Sequence, residues 1–260
     1  MKRCVITGAS SGIGRALAAA YVQANYEVIG VDLDEGGAEE VAQMLGGAFS
    51  FVQADLSEPE SLAHVAELLE GPPIDVFIHS AGINAVGAFA RSDIWEQRRV
   101  SSINLDAPLL LTAQLLRRGL FRRGSSLVFI ASLSHFIGYP GAAVYAASKT
   151  GLAAYARSLS VALAPRGIHV LTVYPGPTRT PHAAKYSPDN RLESRRMLPE
   201  MLAAQVLHAV RAKRRVLVPG WSNKVMALAG RLAPGLAGSV MRRAILDKLP
   251  HSQVGDQTER

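Results

Sequence analysis

Short apolar segments alternate with helical segments along most of this chain, and this alternation limits the fold more than any other feature. Apolar runs predict strands at residues 5–7, 27–31, 49–53, 76–79, 126–131, 169–174 and 214–219. Between them, helical spacing of apolar residues predicts helices at residues 16–24, 62–69, 107–117, 144–163 and 200–211. Strands separated by helices pair in parallel and carry helices on both faces. The predicted fold class is therefore α/β, with a doubly wound parallel sheet.

The composition is that of an ordinary globular protein, 48% hydrophobic and 19% charged. The single cysteine, Cys4, has no partner for an internal disulfide and lies in the first apolar strand, which predicts a buried, unreactive thiol. No signal-peptide pattern follows Met1, and charged residues interrupt the most apolar stretch, residues 225–245. These features predict a cytoplasmic protein without a transmembrane span.

The net charge of +7 is concentrated near the C-terminus, where residues 181–250 contain thirteen basic and four acidic residues. Few aromatic residues are interleaved with these charges, so we do not expect nucleic-acid binding. The amphipathic part of this segment, residues 221–250, has two interpretations: it packs on the protein itself or on another subunit, which we favour, or it lies on an anionic membrane. The apolar residues that would face such a membrane are Trp221, Val225, Leu228 and Leu232.

A glycine-rich turn follows the first strand and leads directly into a helix. Glycines let the backbone approach a pyrophosphate, whose charge meets the free N–H groups of the helix N-terminus. A purely structural turn is the alternative, but the position between strand and helix favours the dinucleotide site of a Rossmann fold. The predicted contacts in this turn are Thr7, Gly8, Ser10, Ser11, Gly12, Ile13 and Gly14.

Asp32 ends the second strand, about 20 residues beyond the glycine turn, where a carboxylate can bind the adenosine ribose hydroxyls. The same charge repels a 2′-phosphate, and Leu33, Asp34 and Glu35 provide no neutralising cation. Asp32 therefore predicts NAD rather than NADP, unless it is only an exposed turn residue. Asp55, after the third strand, could contact adenine or cap the next helix.

Tyr145 and Lys149 are four residues apart in a helical segment and share one face of it. An ammonium close to a phenol stabilises the phenolate and lowers the pKa of the phenol, which would make Tyr145 an acid/base group. By itself this spacing is also typical of a solvated helix face.

Five motifs occur in one order: Thr7-Gly8-x-x-x-Gly12-x-Gly14, Asn104, Ser132, Tyr145-x-x-x-Lys149 and Pro175-Gly176-x-x-x-Thr180. Over residues 3–180 their order and spacing closely resemble the short-chain dehydrogenase/reductase family. The resemblance implies an NAD(P)-dependent oxidoreductase that acts on CH–OH and C=O groups, without a metal.

The resemblance also implies a role for each matching residue. Ser132 would hydrogen-bond the substrate oxygen, and Tyr145 would be the general acid/base. Lys149 would hold the nicotinamide ribose and lower the pKa of Tyr145, while Asn104 would anchor a water in a proton relay. The remaining predicted cofactor contacts are Asp55, Leu56, Ala81, Gly82, Pro175, Gly176, Thr178 and Thr180, besides Tyr145 and Lys149 themselves.

Two positions depart from the family pattern. His79-Ser80-Ala81-Gly82 stands where relatives usually have Asn-Asn-Ala-Gly, which affects local packing and cofactor affinity. His135 stands where glycine is common and either contacts the substrate or has no function. Candidate substrate contacts are Ser134, His135 and Tyr139.

The chain is accordingly divided into a dinucleotide-binding and catalytic domain at residues 1–220, a basic helical extension at 221–250 and a flexible tail at 251–260. Residues 181–199 are predicted to form a lid, with an apolar interior and a cationic rim. We expect NAD-linked interconversion of a secondary alcohol and a ketone with an apolar substrate. Alternatives are an NADP-dependent 3-oxoacyl-thioester reductase and a non-catalytic protein that senses NAD(P).

A homodimer or homotetramer is expected, because the family associates through the helix that carries Tyr145 and Lys149 and the helix before it. The small and apolar residues expected to supply this interface are Ala153, Ala154, Ala156, Val161, Ala162 and Leu163.

Overall fold

A parallel sheet of seven strands forms the centre of the structure, a computed structural model that describes residues 1–87, 92–187, 190–191 and 193–244. The strands are β1 (Lys2–Thr7), β2 (Tyr26–Asp32), β3 (Phe49–Gln53), β4 (Val76–His79), β5 (Ser126–Ile130), β6 (His169–Val173) and β7 (Val216–Leu217). Their order is β3-β2-β1-β4-β5-β6-β7, and all pairs are parallel. The predicted doubly wound α/β fold is confirmed.

The strand order reverses beside β1, which pairs with β2 on one side and β4 on the other. The chain leaves β1 toward β2 and β3, and later returns to build β4 to β7 on the opposite edge. Loops that leave neighbouring strands in opposite directions open a crevice at the carboxyl ends of those strands. The fold thus places the ligand site above β1 and β4.

Helices cover the sheet. They are α1 (Gly12–Gln23), α2 (Glu35–Leu45), α3 (Pro59–Leu68), α4 (Ile94–Ser101), α5 (Ala107–Arg117), α6 (Ala143–Ala162), α7 (Pro181–Tyr186), α8 (Pro199–Arg211), α9 (Trp221–Leu232) and α10 (Pro234–Ala244). Sequence patterns did not predict α2 or α4. In α2, Gly36 and Gly37 weaken the helical signal, but Asp34 caps the first turn by accepting a hydrogen bond from the Gly37 N–H.

The core has two layers, one on each face of the sheet. Leu17 and Tyr21 of α1 pack with Val206 of α8 on one face, while Leu111 of α5 and Leu152 of α6 pack on the other. Both faces of the central strands are therefore apolar, as expected for a parallel sheet covered by helices. Cys4 is fully buried in β1, and burial raises the pKa of its thiol.

Three of the six residues predicted to form the subunit interface are buried within the chain. These are Ala153, Ala156 and Leu163, which have at most 4% of their surface exposed. They face the core because they lie on the side of α6 that packs on β5 and β6, so their assignment to an interface was wrong. Of the six predicted residues, Ala154, Val161 and Ala162 are exposed.

The C-terminal helices α9 and α10 pack on the main fold next to the crevice. Gly230 is so close to the loop after β5 that a Cβ on it would overlap the Phe136 carbonyl. The guanidinium of Arg231 covers the Phe136 ring at 4.7 Å, and the Asn223 amide donates to the Pro219 carbonyl. In the part of the chain that is described, no helix is long and apolar enough to cross a membrane. The predicted tail, residues 251–260, lies outside the described residues.

Candidate active site

A cavity of about 1090 Å³ opens at the carboxyl ends of the strands. Its walls come from the loops after β1 to β6, from α6 and α7, from the region of α4, and from one residue each of α9 and α10. Of the predicted site residues, those that line it are Gly8, Ser11, Gly12, Ile13, Gly14, Asp32, Asp55, Leu56, Ala81, Gly82, Ser132, Ser134, Tyr139, Tyr145, Lys149, Pro175, Gly176, Thr178 and Thr180.

At one end of the cavity, the glycine turn is packed against itself. Gly8 has a φ of 74°, and a Cβ on Gly14 would overlap the Gly8 carbonyl oxygen. Side chains are therefore sterically excluded here, and the first turn of α1 is open to a ligand. A dinucleotide pyrophosphate fits this cradle, because the N–H groups at a helix N-terminus favour negative charge.

The Asp32 carboxylate lies beside this turn and is held by backbone N–H groups. Ser10 N donates to one oxygen at 3.0 Å, and Leu33 N and Asp34 N donate to the other at 2.8 and 3.3 Å. The carboxylate is thus fixed at the cavity wall rather than free in solvent. Arg15, a cation in the first turn of α1, pairs with Glu40 on α2 at 3.0 Å and so does not neutralise this carboxylate.

Asp55 does not cap the next helix, because the N-cap residue of α3 is Glu58. Asp55 lines the cavity, and its Oδ1 accepts hydrogen bonds from the N–H and the hydroxyl of Ser57 in the turn before α3. Burial alone would raise the pKa of Asp55, but the Ser57 hydrogen bonds and Arg99, at 3.2 Å, lower it below its usual value.

Ser132, Tyr145 and Lys149 meet at the other end of the cavity. Ser132 follows β5, and its hydroxyl hydrogen-bonds the Tyr145 phenol. Tyr145 and Lys149 share one face of α6, as predicted, and Lys149 Nζ lies 6.0 Å from the centre of the Tyr145 ring. Lys149 Nζ also donates to the Ile130 carbonyl at 3.0 Å, which fixes it against β5.

Burial dominates the electrostatics of this pair. It lowers the pKa of Lys149 from 10.5 to about 8. It also raises the pKa of Tyr145 from 10.0 to about 12, although the Ser132 hydrogen bond opposes the rise. The pKa of Tyr145 is therefore raised, not lowered as expected, because burial of the phenolate is its largest cause and no effect of Lys149 on it is resolved.

Asn104 lies beneath the cavity rather than in its wall. It sits in a π-helical segment, Ser102–Asp106, and is fully buried. Its side chain bonds both backbone groups of Ile83, accepting from N at 2.8 Å and donating to O at 2.9 Å, and it also donates to Ser148 Oγ. A Cβ on Gly82 would lie 3.1 Å from Lys149 Nζ and 3.2 Å from Asn104 Oδ1, so Asn104 positions the loop that faces Lys149.

Three other predicted residues also lie outside the cavity wall. The Thr7 hydroxyl accepts hydrogen bonds from the Ser80 and Ala81 N–H groups and ties β1 to the loop after β4. Ser10 is buried, and its hydroxyl donates to the Asp34 carbonyl. His135 turns away and packs on Phe136 and Tyr174, because its short turn directs the ring toward α9 instead of the cavity.

The substrate end contains residues that sequence patterns did not single out. Met226 of α9 and Met241 of α10 line it, and Asn223 in the first turn of α9 packs against Gly176. Asn84 is 6% exposed, and its Oδ1 has no hydrogen-bond partner among the described residues. No local motif marks these residues; the cavity brings them together from distant parts of the chain.

The predicted lid contributes one wall through α7. His182, Lys185, Tyr186 and Arg196 line the cavity. Burial, with Lys149 and Lys185 nearby, lowers the pKa of His182 to about 4, so His182 is neutral at pH 7. Lys185 and Arg196 form the cationic rim at the cavity. Residues 188, 189 and 192 of the predicted lid lie outside the described residues.

His79, the first departure from the family pattern, is buried away from the cavity. Its Nε2 lies 2.8 Å from Thr112 Oγ1 on α5, and its ring stacks on Phe129 of β5. Burial first and Lys149 second lower its pKa from 6.5 to about 3. The ring is therefore neutral in the folded protein and joins β4 to α5.

We expect His79→Asn to reduce the acid sensitivity of the fold. Below pH 6.5 the unfolded chain binds a proton at His79, whereas the folded protein does not. The free energy of unfolding therefore decreases as the pH is lowered. With these pKa values the wild type loses about 2 kcal/mol between pH 7 and 5 through His79 alone. Urea unfolding at both pH values measures this loss; an equal loss in His79→Asn would contradict it.

Comparison with protein families identifies the chain. The family model described as short chain dehydrogenase matches residues 2–191. The chain belongs to this family. Family members are oxidoreductases that act on CH–OH and C=O groups, and the family assignment made from the five motifs is confirmed. Among the described residues, no cluster of His, Cys, Asp or Glu could hold a metal ion.

Three curated relatives illustrate the range of the family. The 3-oxoacyl-(acyl-carrier-protein) reductase FabG of Escherichia coli is 31% identical over 73% of this chain and 79% of its own length. 3beta-hydroxysteroid dehydrogenase 1 of Eggerthella lenta is 32% identical over 76% of this chain and 79% of its own. A short-chain type dehydrogenase/reductase of Sinorhizobium fredii, y4vI, is 34% identical over 73% of this chain, which spans only 35% of that protein.

Solved structures share the fold. A short-chain dehydrogenase from Sphingobium yanoikuyae in complex with NADPH matches 99% of this chain and 100% of its own, with a TM-score of 0.79 and 26% identity. A 3-ketoacyl-(acyl-carrier-protein) reductase from Brucella melitensis complexed with NADH matches 84% of this chain and 96% of its own, with a TM-score of 0.75 and 25% identity. The neighbours thus bind either cofactor.

Proposed function

We propose that this protein interconverts a secondary alcohol and a ketone with NAD(H) as the hydride carrier. One observation supports this most: Ser132, Tyr145 and Lys149 meet in a cavity whose other end holds a glycine cradle and a fixed Asp32. A bound nicotinamide dinucleotide supplies or accepts the hydride. The protein's own contribution is to position the substrate and move one proton.

The proton moves at the Tyr145 hydroxyl. Ser132 and Tyr145 together present two hydroxyl groups to a substrate oxygen, and Lys149 adds positive charge behind them. Because the pKa of Tyr145 is about 12, the phenol is protonated at neutral pH and ready to donate to a ketone oxygen. Oxidation of an alcohol requires Tyr145 to lose that proton, for which the positive charge of Lys149 is the available stabilisation.

The preference for NAD follows from the charges around the adenosine end. The oriented Asp32 carboxylate accepts hydrogen bonds from ribose hydroxyls but repels a 2′-phosphate. Asp34 and Asp55 add negative charge to the same wall, and Arg15 is engaged with Glu40. Arg99 also lines the cavity, but it is paired with Asp55.

Asp32→Ser is expected to shift the cofactor preference toward NADPH. Loss of the repulsion raises NADPH affinity roughly tenfold, and loss of the ribose hydrogen bonds lowers NADH affinity roughly tenfold. Fluorescence titration of both cofactors measures this change, and Asp106→Ser removes one exposed charge outside the cavity as a control. An unchanged preference, or a wild-type preference for NADPH, would remove Asp32 as the determinant.

The substrate pocket supports a largely apolar ligand with a second polar group. Ile137, Met226 and Met241 supply apolar wall, and Tyr139 adds an aromatic ring. Asn84 Oδ1 and Ser134 Oγ are buried in this wall without a hydrogen-bond partner among the residues that the structure describes. Buried polar atoms usually have such a partner, and a polar group of the substrate would supply it. Residues 181–199 would close over such a substrate, and residues 1–220 would hold the cofactor and the reacting groups, while α9 and α10 complete the substrate wall.

A reductase of 3-oxoacyl thioesters is the second candidate. The cationic residues Lys185 and Arg196 at the cavity would attract the phosphates of coenzyme A or of an acidic carrier, and the relative FabG carries that activity in its name. Asp32 argues against the NADP dependence that this candidate implies.

An activity screen separates these candidates. Secondary alcohols, ketones and 3-oxoacyl thioesters are tested with NADH and NADPH, and absorbance at the nicotinamide band is followed. Turnover of simple alcohols or ketones with NAD(H) supports the proposal, while thioester reduction with NADPH supports the second candidate. Tight NADH binding without turnover of any substrate would instead indicate a cofactor-sensing protein.

A homo-oligomer built on α5 and α6 remains our expectation. Leu110 and Val161 are exposed by 45% and 71%, and Ala154 and Ala162 lie beside them on α6. Such an apolar surface on a helix pair suits a symmetric interface.

A further inference from the structure

The outer face of α9 is apolar, and no residue in the part of the chain that the structure describes covers it. Trp221, Val225, Leu228 and Leu232 are exposed by 79%, 49%, 57% and 76%. Their spacing of four, three and four residues places them on one side of the helix. The opposite side of α9 packs on the protein through Asn223, Ala227 and Gly230.

The next helix, α10, repeats this arrangement. Leu236 and Val240 are exposed by 70% and 58%, while Met241 faces the cavity. Six of the exposed apolar residues on the two helices form what we call the outer face: Trp221, Val225, Leu228, Leu232, Leu236 and Val240. An apolar surface of this kind on a folded protein normally marks an interaction site.

The charges around the outer face identify its partner. Residues 221–244 contain Lys224, Arg231, Arg242 and Arg243 and no acidic residue. All four cations are exposed. In a two-fold contact between copies of this chain, the face would meet itself and bring like charges together. An anionic bilayer offers the opposite charge together with an apolar interior.

We propose that the outer face of α9 and α10 docks the protein on the surface of anionic phospholipid membranes. The apolar side chains enter the headgroup boundary, with Trp221 at the start of α9, and the lysine and arginines contact lipid phosphates. Because Met226 and Met241 of the same helices line the cavity, docking brings the substrate end of the cavity close to the bilayer. The proposal does not depend on the proposed function.

Co-sedimentation with vesicles tests this proposal. Full-length protein is mixed with vesicles of phosphatidylcholine alone or with an equal share of phosphatidylglycerol. We expect binding to the anionic vesicles, weakened by salt, and little binding to the neutral ones. Leu228→Glu with Leu232→Glu should lower the partition coefficient at least about tenfold, and Arg242→Gln with Arg243→Gln roughly tenfold.

Matched controls carry the same changes elsewhere. Leu68→Glu with Met44→Glu alters side chains that are 51% and 53% exposed on α3 and α2, and Arg117→Gln with Arg166→Gln removes two exposed arginines. Both controls should bind vesicles like the wild type. Failure of the wild type to sediment with anionic vesicles, or equal losses in the controls, would overturn the proposal.

A spectroscopic measurement keeps the test independent of these variants. The chain has two tryptophans, Trp95 and Trp221, so Trp95→Phe leaves Trp221 as the only indole. Its emission should shift to the blue on anionic vesicles; an unchanged spectrum would show that Trp221 stays in water.

Light scattering after chromatography tests whether a second copy of the chain covers the outer face instead. If the wild type is an oligomer and the double variant Leu228→Glu with Leu232→Glu is a monomer, a second copy covers this face and the proposal is overturned.

Discussion

Tyr145→Phe is expected to lower kcat by roughly 10²- to 10⁴-fold while leaving NADH affinity close to that of the wild type. The change removes only the hydroxyl that gives or takes the proton, and the ring still fills the same buried space on α6. Ser132 keeps its own hydrogen bond from the Ser134 N–H, so the loop after β5 should not move. Steady-state rates and fluorescence titration with NADH measure the two quantities separately.

Tyr155→Phe is the matched control for this change. Tyr155 lies on the same helix, six residues beyond Lys149, packs edge-on against Phe129 and does not line the cavity. Its hydroxyl donates a long hydrogen bond, 3.4 Å, to the Leu109 carbonyl and also interacts with the Thr112 side chain. Near-normal activity in Tyr155→Phe with loss in Tyr145→Phe assigns the proton to Tyr145. Substantial turnover in Tyr145→Phe would require another acid/base group.

The sequence predicts those parts of the site that depend on local geometry. Gly8 and Gly14 meet because a strand, a tight turn and a helix follow one another, and Tyr145 and Lys149 meet because they are one helical turn apart. Asp32 reaches the cavity because β2 ends next to β1. Each of these contacts follows from the periodicity of a strand or helix and from the parallel pairing of neighbouring strands.

Contacts that depend on packing between distant segments could not be predicted in this way. Met226, Met241 and Asn223 reach the substrate end only because α9 and α10 fold back over the sheet. His135 leaves the cavity because a single short turn directs its ring the other way. Ala153 and Ala156 looked like interface residues on α6 because the helix is apolar on more than one side.

The direction of the pKa shift of Tyr145 could not be predicted from the sequence for the same reason. The spacing of Tyr145 and Lys149 gives their proximity, and proximity alone predicts a lowered pKa. The degree of burial depends on every wall of the cavity, and it reverses the direction of the shift. Burial disfavours the charged forms of both Tyr145 and Lys149. The charge state of the catalytic site therefore affects the stability of the fold.

Lys149→Met should stabilise the ligand-free protein while abolishing most of its turnover. Burial lowers the pKa of Lys149 from 10.5 to about 8, so holding the ammonium in place costs roughly 3 kcal/mol at pH 7. Methionine removes that cost but leaves the Ile130 carbonyl without its donor, a loss of about 1 kcal/mol. The net gain of about 2 kcal/mol should raise the Tm by roughly 4–8 °C.

The pH dependence separates this cause from better packing. Below pH 8 the lysine is charged in both the folded and the unfolded chain, so the wild type carries the full penalty. Between pH 8 and 10.5 the folded protein releases the proton first, the stability of the wild type rises, and the advantage of Lys149→Met shrinks. Lys2→Met, which removes an exposed ammonium, should show neither effect.

A stability advantage of Lys149→Met that stays constant up to pH 10.5 would mean that methionine stabilises the protein by packing. A Tm of Lys149→Met below that of the wild type at pH 7 would mean that contacts beyond the Ile130 carbonyl stabilise the ammonium. The site would then hold its charge without loss of stability.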